Sequence, residues 1–500
     1  MKINRPLFLL CLTLAAASAC KRRQNADGPN GQPANTGTNT GTNTGTNTGA
    51  NTGANNSGSG PSGPGISGQN QGQSSVREVP PTPATGCPAQ LPTASLGPGT
   101  VHNTTINTNE TWTLEGSPHR FPDGANIEEN ATVTIAPCAV VLIGDSNMLL
   151  VRSGGALIAV GDAQHLIRFG SNKNDPQPGD WEGIVFEEGA RRSSRIAYAT
   201  IEHAGHDTGN GTATGILTNM LGLDLQHVLV RAFRGFGIAT SGQGTFSDTS
   251  LDVTVREGVV GGRDHAGSAW FNNPNSVRSL PAGTYTGNEI NEVYVSGTDP
   301  IATTGTWRNP GVRYHIADDT DMRIEGPTSP VLTIAAGTTI AFGPGSSLST
   351  GWDAEGALVA DGANEAGRIT FTAAASEPNP GSWEGLYIGE RALRARTKLA
   401  WVNIAFAAGD SGSDSACAWN EQENDAALYL QSPIAAENIT HVTFSNLPEN
   451  TAAIARNWRN APAINYAAPA LGNNFAQAGT SCKQSPVHVN EGCPENARCE

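Results

Sequence analysis

From about residue 110 onward, short apolar runs alternate with glycine-rich corners. Val140–Ile143, Ala156–Val160, Ile167–Phe169, Ile184–Phe186 and Ile196–Ile201 are examples. They recur roughly every 10–20 residues, and their spacing has no helical period. Runs of this kind, punctuated by Gly, Asn, Asp and Pro, predict short β-strands joined by turns. Many short strands and no helical segments point to a solenoid or a sandwich.

The pattern is also duplicated. Val133-Thr-Ile-Ala136 matches Leu332-Thr-Ile-Ala335, and Gly155-Ala-Leu-Ile-Ala-Val-Gly161 matches Gly356-Ala-Leu-Val-Ala-Asp-Gly362. Ile167-Arg-Phe169 matches Ile369-Thr-Phe371, and Pro178-Gly-Asp-Trp-Glu-Gly183 matches Pro380-Gly-Ser-Trp-Glu-Gly385. Thr111-Trp112 pairs with Thr306-Trp307, and Ala197-Tyr-Ala-Thr-Ile201 pairs with Ala400-Trp-Val-Asn-Ile404. The order is kept throughout. Between the copies, Gly258 to Thr306 loses the pattern, although Val293-Tyr-Val295 still reads as a strand.

These residues resemble the right-handed parallel β-helix repeats of bacterial surface proteins. Such repeats run through Leu-Thr-Ile, Pro-Gly, a hydrophobic strand, Gly-Xaa-Leu, Ile-Thr-Phe and a Gly-Xaa-Trp-Xaa-Gly corner. The resemblance implies an all-β, right-handed parallel β-helix built from two homologous halves. Each coil would pair with the next about 4.8 Å away, over a thin core of small and β-branched residues. The first copy has Pro137-Cys138 where Pro-Gly is usual, which implies that Cys138 reaches Cys87. Trp181 and Trp383 fall at matching corners, so they are expected to pack a coil corner. Trp352, Trp401, Trp419 and Trp458 are less periodic and are expected on an exposed face.

The N-terminus predicts a different organisation. Residues 1–19 read as an export signal, with Lys2 and Arg5 before an apolar stretch. Ala17-Ser18-Ala19-Cys20 resembles a bacterial lipobox, which implies lipidation at Cys20. Two or more acyl chains make a stable membrane anchor. Lys21 in place of Asp favours the outer membrane or cell surface. Residues 20–85 are rich in Gly, Asn, Thr and Ser and read as a disordered linker, with a root-mean-square span of about 45 Å. The β-helix then divides into 86–290, with an N-terminal cap, and 291–500, with a Cys-rich C-terminal cap.

Composition narrows the function classes. Gly 60, Pro 31 and only 15% charged residues in 500 disfavour a helix-rich protein. The net charge of -15 excludes a general nucleic-acid binder, which needs a basic footprint. Of the 8 cysteines, Cys11 falls in the signal and Cys20 takes the lipid. Cys87, Cys138, Cys417, Cys482, Cys493 and Cys499 remain as disulfide candidates in an exported protein, with their pairing open.

Two clusters carry candidate chemistry. Glu202, His203, His206 and Asp207 follow one predicted strand. Two His and carboxylates are suited to acid–base work or metal ligation. The alternative is a polar corner loop. The second copy has Ala405-Phe406-Ala407-Ala408 there, so the cluster belongs to the first copy. Asp410, Asp414, Glu421, Glu423 and Asp425 offer oxygen ligands for calcium, although their spacing is not that of an EF-hand, and a solvated loop is the alternative. Pectate lyases, polygalacturonases and chondroitin lyases share the implied fold, but their Asp clusters and catalytic series have no clear match here. The expected function is therefore a lipid-anchored envelope protein presenting a β-helix that binds polysaccharide or another surface component, more a binder than an enzyme. A polysaccharide lyase or glycoside hydrolase is the alternative, and a structural spacer without ligand is a further one.

Overall fold

The computed structural model describes residues 86–87, 96–207, 213–261, 265–411, 425–458, 463–480 and 482–485. The signal segment, Cys20 and the linker lie outside these residues, as do Trp419, Cys417, Cys493 and Cys499. The strands are short and pair in parallel, each with strands one coil away, so the chain winds as a parallel β-helix.

The apolar runs form its core by stacking in register. On one face, Val141, Phe169, Ile201, Val230 and Val255 form a continuous ladder, and all are buried. On a second face, Ile127, Val151 and Phe186 begin a ladder that continues through Phe271, Val295, Ile316 and Phe342. Each coil buries its inward side chains against the next, and main-chain groups are satisfied between coils.

The stretch that loses the sequence pattern does not interrupt this stack. It contributes the strands Gly267–Phe271, Ala282–Thr284 and Glu292–Val295 and a 3-10 turn, Pro274–Ser279. Glu292–Val295 pairs with Gly267–Phe271 on one side and with Arg313–Ile316 on the other. One sheet therefore crosses the junction between the copies.

The crossing has a consequence for orientation. By the repeat, Thr339–Phe342 is equivalent to Val140–Ile143, which lies on the first face. In the structure, Thr339–Phe342 instead continues the second face. The second copy is thus turned by one face relative to the first. Its own equivalent of the second face starts a separate six-stranded sheet. That sheet runs through Asp321–Ile324, Ser347–Thr350, Gly385–Ile388, Ala426–Leu430, Ala452–Arg456 and Cys482–Gln484.

The corners repeat as well. The Trp181 indole donates to the Glu202 carbonyl at 2.7 Å, and Trp383 donates to Ala405 at 2.8 Å. Both rings are buried, so these tryptophans pack coil corners. Tyr198 and Trp401 sit at another matching corner with φ of 51° and 54°. There Tyr198 stacks on His227, and Trp401 stacks on His441. Cys138 has a φ of 64°, and Gly337, its counterpart in the second copy, has 74°. Cys138 bonds Cys87 across 51 residues of sequence. Cys482 is also disulfide-bonded.

Candidate functional site

The residues Glu202 to Asp207 do not converge. Glu202 is buried, and its carboxylate meets Arg168 Nε at 2.8 Å and Arg231 Nε at 2.7 Å. Burial alone would raise the Glu202 carboxyl, but the two guanidinium groups outweigh it and hold it below the usual range. His203 has a φ of 64°, and burial lowers its pKa. The His206 ring meets the Gly179 carbonyl at 3.0 Å, and Asp207 is exposed. Among the described residues, no three His, Cys, Asp or Glu side chains form a group suited to a metal ion. The ion triad ties successive coils together; the second copy has Thr370, Ala405 and Ser445 in its place.

In the acidic loop, Asp414, Glu421 and Glu423 lie outside the described residues. Asp410 is exposed, and Asp425 accepts from the Ser411 backbone N–H at 3.0 Å. Burial raises the Asp425 carboxyl, and Asp410 adds to the rise.

Of the four tryptophans expected on an exposed face, Trp419 lies outside the described residues, and the other three separate. Trp352 is 40% exposed. Trp401 is half-buried between His441 and the Arg368 guanidinium, which lies 5.4 Å from its ring. Trp458 is buried, because its ring packs edge-on against Tyr466 in the last coils. That expectation is corrected for Trp458.

Trp352 borders a cleft of about 200 Å³ on the separate six-stranded sheet. Register places Arg323, Ser349, Tyr387 and Tyr429 in one row across four coils. The Trp352 ring stands at 90° to Tyr387 and at 44° to Tyr429, with both centroids 6.4 Å away. Tyr387 and Tyr429 are buried beneath it. The Tyr387 hydroxyl makes no well-aligned hydrogen bond, although the Ser411 side chain lies beside it. An unsatisfied buried hydroxyl costs about 1–3 kcal/mol, which marks such groups as functional candidates. Burial pushes the Tyr387 hydroxyl well above its ordinary pKa, and Glu384 and Asp425 push it further.

The corner that presents Trp352 is held from below. Glu325 is buried, and its carboxylate accepts from three successive backbone N–H groups, those of Trp352 (3.2 Å), Asp353 (2.8 Å) and Ala354 (3.3 Å). Gly351 precedes them with a φ of 66°, and a Cβ there would lie 2.2 Å from the Ala392 nitrogen. Only glycine fits that position. A second cleft of about 440 Å³ adjoins the first and shares Glu384 with it; Asp410 and Asn379 also line it.

The duplication supplies an internal comparison. The counterparts of Tyr387 and Tyr429 in the first copy are Val185 and Leu217, in the same register. Trp352 lies in a corner, residues 351–356, that is longer than the first-copy corner, residues 152–155. An aliphatic row in one copy is an aromatic and polar row in the other, so the coil itself does not demand the aromatics. Comparing the copies position by position on the outward side is the sequence signal that would have found this site.

No family model, curated protein or solved structure matches this chain.

Proposed function

We propose that this is a bacterial cell-envelope lipoprotein, anchored through Cys20 at the outer membrane or cell surface, whose β-helix binds polysaccharide beside Trp352. The observation that carries the binding reading is the exposed Trp352 ring over Tyr387 and Tyr429, bordered by Asp321, Ser347 and Glu384. Sugar rings present apolar C–H faces and polar rims. Such ligands suit a site with an aromatic platform and a few placed polar groups. The aliphatic counterparts in the first copy support a gained role for this row.

A glycan array and a depolymerisation screen on the full chain test the reading. Binding without product, weakened about tenfold or more by Trp352→Ala, is the expected result. Absence of binding to any glycan overturns it. Cys20→Ser tests the anchor: the variant is expected to leave the membrane fraction, and its full retention there overturns lipidation.

A second reading, hydrolysis, has one observation in its favour. Asp425 is a half-buried carboxyl with a raised pKa beside Asp410, and a raised carboxyl is what general-acid catalysis needs. Product formation that is lost in Asp425→Asn would replace the binding reading with this one.

A further inference from the structure

The groove beside Trp352 is more acidic than an aromatic platform for neutral sugars requires. Asp321 and Glu384 line the smaller cleft, and Asp410 joins Glu384 in the larger one. Arg323 also lines the smaller cleft, but its guanidinium already faces Glu325 at 3.4 Å and Asp353 at 3.6 Å. Two carboxylates therefore offset that one cation before the groove's own acids are considered. The whole chain carries -15, so no distant excess of positive charge compensates.

Two further observations point the same way. The Tyr387 hydroxyl makes no well-aligned hydrogen bond at the floor of this groove, where the Ser411 side chain is the polar group beside it. It is also pushed up in pKa by burial together with Glu384 and Asp425, as expected in a negative local potential. Glu384 stands where the two clefts meet, so a chain-like ligand crossing from one to the other passes it.

We propose that the ligand is a cationic glycan, one bearing free amines, with an ammonium group beside Glu384 and a sugar face on Trp352. This rests on the polysaccharide-binding reading and narrows it to a substrate class. An ammonium–carboxylate hydrogen bond is charge-assisted and stronger than a neutral one. An indole face attracts a cation within about 6 Å of its centroid. Polyuronates are repelled by the same carboxylates. Neutral glycans keep the stacking contact and lose the ionic one.

The test is calorimetric titration of the full chain with a glucosamine hexamer and with its fully N-acetylated counterpart, at low and at raised salt. The free-amine hexamer is expected to bind about tenfold tighter or more. That preference is expected to shrink as salt screens the charges. Glu384→Gln is expected to bring the two ligands close to parity while the N-acetylated hexamer keeps its affinity. Trp352→Ala is expected to weaken both. Asp321→Asn, expected to narrow the preference in part, serves if Glu384→Gln melts early. Equal or tighter binding of the N-acetylated hexamer overturns the cationic ligand and leaves the polysaccharide reading standing. Binding of neither hexamer, with no other glycan bound on the array, overturns both. An undiminished preference in a folded Glu384→Gln variant overturns the placement of the ammonium.

Discussion

Tyr387 and Tyr429 stand in register on adjacent coils, with ring centroids 5.6 Å apart. Val185 and Leu217 hold the same relation in the first copy. Restoring the first-copy residues in the row, as Tyr387→Val and Tyr429→Leu, together with Trp352→Ser, is expected to keep the β-helix. Each buried tyrosine exchange is expected to cost about 1–3 kcal/mol through lost packing. Glycan binding is expected to fall by more than tenfold. Circular dichroism and calorimetric titration on one preparation check both halves of the statement.

Glu325 acts on the same site from beneath. Its carboxylate satisfies the N–H groups of Trp352, Asp353 and Ala354 at once. Glu325→Ala is expected to leave these donors without their acceptor and to cost about 1–3 kcal/mol locally. Amide exchange at residues 352–354 is expected to accelerate, with little change in the strand Val140–Ile143 of the other copy. Glycan affinity is expected to fall although Glu325 does not line the cleft. Unchanged exchange at these amides would show that the corner is held by other contacts.

The Arg168–Glu202–Arg231 triad is expected to behave as a structural unit. Glu202→Ala removes the carboxylate from a buried Arg168 and is expected to destabilise by about 3–5 kcal/mol. The second copy shows how the same place is filled without charge. The triple exchange Arg168→Thr, Glu202→Ala, Arg231→Ser is therefore expected to recover most of that loss. The pH dependence has a defined sign. The Glu202 carboxyl is lowered on folding, so its contribution is full above the unfolded value of about 4.3 and is lost as pH falls through the lower folded value. Melting temperatures of wild type and triple variant are expected to run parallel at neutral pH and to converge, or cross, below about pH 4.

Much of this fold is legible in the chain. The copies, the short strands and the corner tryptophans follow from alternation and from residues repeated at equivalent places. Cys138 stands out because the second copy has Gly337 there. The turn of one copy against the other is not legible. It depends on how the strand Glu292–Val295 feeds the next coil, and a local pattern does not encode which face a strand joins. The cleft was also hidden. Gly385–Ile388 and Ala426–Leu430 are buried along their whole length, so alternation does not separate their inward from their outward residues. Tyr387 and Tyr429 meet only through the register. Trp458 departs from the pattern for a related reason: what covers it is Tyr466, from the closing coils rather than from a repeat.

The disulfide between Cys87 and Cys138 offers a clean separation of backbone and cross-link effects. Cys138 sits in the left-handed region, where an ordinary side chain is strained and glycine is not. Replacing it by Gly, which the second copy has at Gly337, would remove the bond and the strain together. Replacing it by Ser keeps the strain, so Cys87→Ser with Cys138→Ser removes the bond alone. For a closed loop with a sequence separation of 51, chain entropy gives a stabilisation of about 4 kcal/mol. Chemical unfolding of this double variant is expected to show a loss of that order if the N-terminal coils unfold together with the rest. If they form a separate unit, the loss is expected only in an early transition, with the main one unmoved. Amide exchange in the strand His119–Phe121 distinguishes the two cases. Unaltered exchange there, together with an unaltered midpoint, would show that the bond contributes nothing to the folded coils.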